Sequence, residues 1–237
     1  ANKYEAGNKE FTSYNKIKSI ELDWDEGHVS LIGNETATSI TVVETPHDYN
    51  DERYLVHTYL DKKGKLSIKP AKSGLFSLDD TDKNFEGYAK DLVITVPTSY
   101  EINNIRFSTY STNFVFENIK ADTIKTTNTN GGNRFENIDV RLLDISTWIS
   151  SINVVNIKVN NFISFSTYGN QELNFDSVPS SVSARASRSG NINVYLPEND
   201  GFTIDRWWRR PHSPQHRTSD GTPDDRFYRN HWYRFWS

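Results

Sequence analysis

Two series of short apolar segments recur along this chain at an almost constant interval, and no other feature constrains its fold as tightly. The first comprises residues 105–110, 124–129, 143–148, 163–168 and 182–187, whose starts lie 19, 19, 20 and 19 residues apart. The second, at 114–119, 133–138, 152–157, 173–178 and 192–197, runs in step with it. Its columns Phe116, Phe135, Val154, Phe175, Val194 and Ile119, Ile138, Ile157, Val178 stay apolar. A repeat this short cannot bury an apolar face alone, so neighbouring copies must stack and supply each other with core and backbone partners.

Apolar residues make up 35% of the chain and charged residues 24%. Such a mixture suits strands that alternate one buried with one solvated side chain. Between the strands sit Ser111-Thr112, Gly131-Gly132, Ser150-Ser151, Gly169-Asn170 and Ser189-Gly190-Asn191, small or positive-φ-tolerant residues suited to tight corners. Each unit is strand, corner, strand, corner. The spacing predicts an all-β, right-handed parallel β-solenoid of roughly 19-residue two-strand repeats, flattened because two strands per unit leave little chain for a third face. An antiparallel β-sandwich is the alternative. Asn118, Asn137 and Asn156 share a position at the end of the second strand. They serve either as plain turn residues or as a ladder bonded along the stacking axis.

Upstream, residues 17–32 read as the same strand-corner-strand unit around Asp25-Glu26-Gly27, and further strands are expected at 39–44, 53–59, 65–69 and 91–97. Residues 45–52 and 72–90 are polar and aperiodic and read as loops. The organisation is therefore a leader at 1–14, a repeat domain at 15–205 and a tail at 206–237. The tail carries seven Arg, three Asp, four Trp, no Lys and no Ile. Its composition is alien to the repeats and reads as altered or foreign sequence, or else as a basic-aromatic arm. It supplies no rung in phase with the repeat and is expected to add little to the body's stability. The tail's charge of +4 leaves −8 for residues 1–205, a sign that repels nucleic acid.

The strand 92–97 ending in Pro97, the Gly27–Leu31 corner and the repeats ending in Glu-Asn-Ile resemble the bacterial putative-adhesin family of β-strand-repeat domains of unknown function. The resemblance spans roughly residues 15–205. Members commonly carry Ser-Gly-Asp at the corners, and here only Ser189-Gly190-Asn191 comes close. The resemblance implies an extracytoplasmic β-solenoid, often behind an N-terminal membrane segment, with no catalytic residues to carry over. The chain starts at Ala1 and contains no Met, so a preceding signal or membrane anchor is expected to have been removed. It has no cysteine, which excludes disulfides and thiolate chemistry.

The expected function is a non-enzymatic cell-surface or extracytoplasmic adhesin-like module, with a cell-wall or host glycan or a surface protein as partner and no cofactor. Tyr110, Trp148 and Tyr168 occupy one repeat position, with Thr129 and Ser187 filling it elsewhere. Strict alternation from Ile105 turns that position outward as a binding stripe, whereas a parity change at the corner makes the rings cover the end of the core. The rival function is a polysaccharide-active enzyme using Glu117 and Glu136, equivalent carboxylates that parallel stacking would place about 4.8 Å apart. Metal chemistry has little support: Pro211 and Pro214 oppose a helix at His212 and His216, and Asp79, Asp80 and Asp82 lack a calcium-binding pattern. Arg206, Arg209 and Arg210 beside Trp207 and Trp208 form a basic-aromatic cluster suited to anionic surfaces.

Overall fold

The computed structural model describes residues 10–46, 55–70, 90–198, 203–206 and 231–236, the last two stretches by backbone alone. Its strands are β1 (Glu10–Ser13), β2 (Ser19–Asn34), β3 (Ile40–Pro46), β4 (His57–Leu60), β5 (Lys65–Lys69), β6 (Lys90–Pro97), β7 (Ile102–Glu117), β8 (Lys120–Asn130), β9 (Asn133–Ile149), β10 (Ile152–Tyr168), β11 (Gln171–Phe175), β12 (Ser181–Ser189), β13 (Ile192–Tyr195), β14 (Thr203–Arg206) and β15 (His231–Trp236). No helix occurs among the described residues.

The alternation seen in the sequence closes into two strand stacks that share one apolar core. The first stack runs β4-β5-β2-β7-β8-β9-β10-β12, parallel from β5 onward. The second runs β1-β3-β6-β2-β7-β9-β10-β11-β13, parallel from β6 onward. Strands β2, β7, β9 and β10 bend at corners and serve both stacks. Phe107 of the first stack meets Phe116 of the second at a ring-centroid distance of 4.5 Å, so the stacks face each other across the core. This is a β-solenoid, and its long parallel ladders replace the antiparallel sandwich considered above.

Core columns follow the register. Ile20, Ile105, Ile124, Leu143, Phe162 and Val182 succeed one another inward on the first stack, and all are buried. Phe116, Phe135 and Val154 do the same on the second.

The fourth coil departs from the sequence reading at two places. Phe162, not Ile163, pairs with Leu143, which turns Ile163 outward. Leu173, not Phe175, pairs with Val154, and Phe175 lies opposite Ile157 beyond a register shift. The periodic reading keeps the apolar Ile163 and Phe165 inside; the fold turns them outward, and the same coil buries Gln171 and satisfies it. Its Oε1 accepts a bond from Ser164 Oγ at 2.6 Å, and its Nε2 donates to the Arg185 carbonyl at 2.8 Å. A buried amide with both ends bonded loses most of its desolvation penalty.

Order in the chain is not order in space. Strand β2 lies between β6 and β7, although β6 directly precedes β7 in sequence. The turn after Pro97 passes β2 on its way, with Thr98 N donating to Asn34 O at 3.2 Å and Asn103 N to Lys18 O at 2.8 Å. Antiparallel strands close both ends: β1, β3 and β4 at the start, and β15 on β12 at the finish. Strand β14 pairs with β15, which stands between it and the fifth coil.

At the first end a buried ion pair joins Lys90 Nζ to Glu44 Oε1 at 3.2 Å, with Lys90 also 5.3 Å from the centroid of the Trp24 ring. Glu44 also accepts the Val56 backbone N–H. Burial pushes the Lys90 ammonium below its usual range, and the Glu44 carboxylate opposes that shift.

The corners explain their residues. Gly131 has φ +103°, and a Cβ there would sit 2.3 Å from Thr112 O. Asn118, Asn137 and Asn156 are left-handed at φ 56°, 53° and 53°. Asn137 Nδ2 donates to Asn118 Oδ1 at 3.1 Å, and Asn156 Nδ2 to Asn137 Oδ1 at 3.3 Å. The asparagines thus fill a backbone geometry that few side chains tolerate and form the ladder as well.

Candidate functional site

The outer face of the first stack carries the exposed aromatic residues Tyr110 and Trp148. Thr109, Asn128 and Thr147 point inward in one column and Ser111, Asn130 and Ile149 are paired beyond them, so Tyr110, Thr129 and Trp148 lie in line between. Parity does not change at this corner, and the rings of Tyr110 and Trp148 stand outward, 61% and 52% exposed. Tyr168 does not share their position: the register that sets Phe162 on Leu143 also sets Tyr168 opposite Ile149, one residue past Trp148, where it is half-buried and its ring meets Trp148 edge to face with centroids 6.5 Å apart. The three sequence-predicted site residues therefore share one face.

Three further residues join them that the sequence reading had not placed there. Phe165 lies outward opposite Ser146, and the Arg185 guanidinium carbon is 5.3 Å from its ring centroid. Arg188 is exposed; its Nη1 donates to Tyr168 Oη at 3.1 Å, with the guanidinium carbon 5.8 Å from the ring centroid. Phe165 went unread because the periodic reading placed it inward with Ile163. Arg188 had no signal beyond its charge, since its contact depends on the register shift between Ser166 and Tyr168. At the opposite end of the row stands Asp25, exposed, between the paired positions Trp24–Thr109 and Glu26–Ser111. The row thus starts at a carboxylate and ends at a guanidinium.

Glu117 and Glu136 are register partners on the second stack, as stacking requires. Arg134 Nη2 and Nε reach Glu136 Oε2 at 2.7 and 3.1 Å. The neighbours on either side of the pair are Ile32 and Val155.

Asp79, Asp80, Asp82, His212, His216 and the basic-aromatic cluster at 206–210 lie outside the residues whose side chains are described. Among those that are, no group of three or more His, Asp or Glu is placed to hold a metal. No described helix is long and apolar enough to cross a membrane.

The family profile of Toastrack DUF4097 matches residues 17–195. The chain belongs to the Toastrack DUF4097 family. The match spans the stacked coils from the start of β2 through β13, so the aromatic row is built on the Toastrack domain itself. A crystal structure of a putative cell adhesion protein from Clostridium sporogenes is similar at 12% identity and a TM-score of 0.41, covering 69% of this chain and 99% of that one. No curated protein matches the chain.

Proposed function

We propose that this Toastrack chain is a non-enzymatic, extracytoplasmic surface module that holds a glycan on the row Tyr110, Trp148 and Tyr168. The observation that carries the reading is the outward placement of the Tyr110 and Trp148 rings in one line of the first stack, with the Tyr168 ring packed edge to face against Trp148. Exposed aromatic side chains gathered on one face offer apolar ring surface of the kind that marks interaction sites. The apolar faces of sugar rings stack on such platforms, and with a strand spacing of about 4.8 Å the positions of Tyr110 and Trp148, two strands apart, lie about 10 Å from each other along the stack.

The test compares wild type with Tyr110→Ala/Trp148→Ala/Tyr168→Ala on a panel of cell-wall and host glycans. Lost binding with a melting temperature nearly unchanged is the expected result. Binding that survives the triple substitution, or a wild type that binds no glycan on the panel, overturns the reading. A stability loss of several kcal/mol would make the rings structural.

The carboxylate pair supports catalysis less well. Its members adjoin, but Glu136 is engaged by Arg134 on an outward strand face, and retaining glycosidases need one of two carboxyls to carry a proton. Activity on a polysaccharide that disappears in Glu136→Gln would reverse this preference.

A further inference from the structure

The aromatic row is electrically asymmetric, and that asymmetry bears on which glycan it accepts. At one end Asp25 stands beside Tyr110. At the other Arg188 lies against Tyr168, donating one of its N–H groups to the phenolic oxygen. A guanidinium offers five donors, and the remaining four point from an exposed side chain. Among the described residues no carboxylate pairs with Arg188. Arg185, three residues before Arg188 on β12, lies over Phe165. The stretch from Tyr110 to Tyr168 covers three strand spacings, about 14 Å in all, so a short oligosaccharide spans both ends at once.

Resting on the glycan reading above, we infer that the ligand is a short glycan with a neutral stem and one terminal carboxylated sugar, the stem lying over Tyr110 and Trp148 and the carboxylate on Arg188 beside Tyr168. A polyanion suits the row poorly, because its charges would also fall on Asp25, and residues 1–205 as a whole carry −8. A wholly neutral glycan leaves the cationic end unused. One anionic terminus on a neutral chain matches both ends, and it fixes the direction in which the glycan lies. Arginine suits the task because its planar fork meets both oxygens of a carboxylate. The tyrosine beneath it holds the guanidinium in place, which lowers the ordering cost of binding.

The experiment titrates the full chain with sialyllactose and with lactose, its neutral core, at low and at physiological salt. Sialyllactose should bind about tenfold more tightly, the difference expected of one charge-assisted hydrogen-bonded contact at an exposed site, and added salt should narrow the gap. Arg188→Gln should remove the preference and leave lactose binding unchanged. Arg188→Lys, which keeps the charge, should retain part of it. Equal affinity for the two sugars, or a preference that survives Arg188→Gln, overturns the acidic-glycan inference while the glycan reading stands. Failure of both sugars and of every other glycan on the panel overturns the two together.

Discussion

Asn137 donates its side-chain amide to Asn118 Oδ1, 3.1 Å away on the preceding coil, from a backbone held at φ 53°. Its own Oδ1 accepts the amide of Asn156. Two separate demands therefore meet at one residue, a left-handed backbone and a place in a side-chain ladder.

Glycine meets the first demand only, and alanine meets neither. Asn137→Gly should cost about 1 kcal/mol for the ladder bonds, and Asn137→Ala about 1–2 kcal/mol more for the left-handed conformation. Denaturant unfolding of both variants resolves the two contributions. Equal stability of the two would mean that the backbone relaxes out of the left-handed region.

In the fourth coil, neighbours in sequence have opposite fates: Phe162 is buried and Ile163 is 42% exposed. Phe162 packs against Phe175 at 5.2 Å between centroids. Phe162→Ala should cost about 3–5 kcal/mol, whereas Ile163→Ala should stay within about 0.5 kcal/mol, as surface substitutions do. Thermal unfolding of the pair tests the register, because the reverse ranking would return Ile163 to the core.

Lys90 gives the first end of the solenoid an alkaline signature. Its proton affinity is lowered by burial from an ordinary value of 10.5. Between that lowered value and 10.5 the unfolded chain holds the proton and the folded chain does not, so stability rises with pH across the window, by at most about 1.4 kcal/mol per pH unit. Below the window the cost of the buried ammonium is present in full. Unfolding measured from neutral pH to pH 11 should show wild type gaining on Lys90→Met as pH rises. Parallel curves would refute the linkage.

Strand β15 pairs six residues of β12, Ser181 to Ala186, and covers what is otherwise the last edge of the first stack. Ending the chain after Asp205 should therefore expose a parallel edge, lower the melting temperature and cause concentration-dependent association. Light scattering and thermal unfolding of the shortened chain check this. Unchanged behaviour would support the expectation from composition that the tail adds little to the body.

Where core positions are apolar, the architecture was legible from spacing. The period, the two strands per unit and the buried Phe116, Phe135 and Val154 all follow from alternation, since successive side chains of a strand point to opposite faces; for Tyr110 and Trp148 alternation offered the outward side as one of two readings. Legibility failed where polar residues turn inward. Gln171 looks like a surface residue until Ser164 and the Arg185 carbonyl are seen to bond it. Arg188 looked ordinary until the shift between Ser166 and Tyr168 brought it onto the tyrosine ring.

What the sequence determined by itself is the unit and the demand that units stack, because a two-strand repeat has no other way to bury its apolar face. What only the tertiary structure decided is the order of stacking at the two ends. Every strand of the body offers its neighbours similar donors, acceptors and apolar columns, so periodicity does not distinguish β6 from β2 as the strand beside β7. Long-range contacts settle that choice: the Lys18 and Asn34 carbonyls take the turn after β6 past β2, the buried pair Glu44–Lys90 ties β3 to β6, and the antiparallel β15 enters between β12 and β14. These contacts join residues far apart in the chain, so they leave no trace in any local pattern.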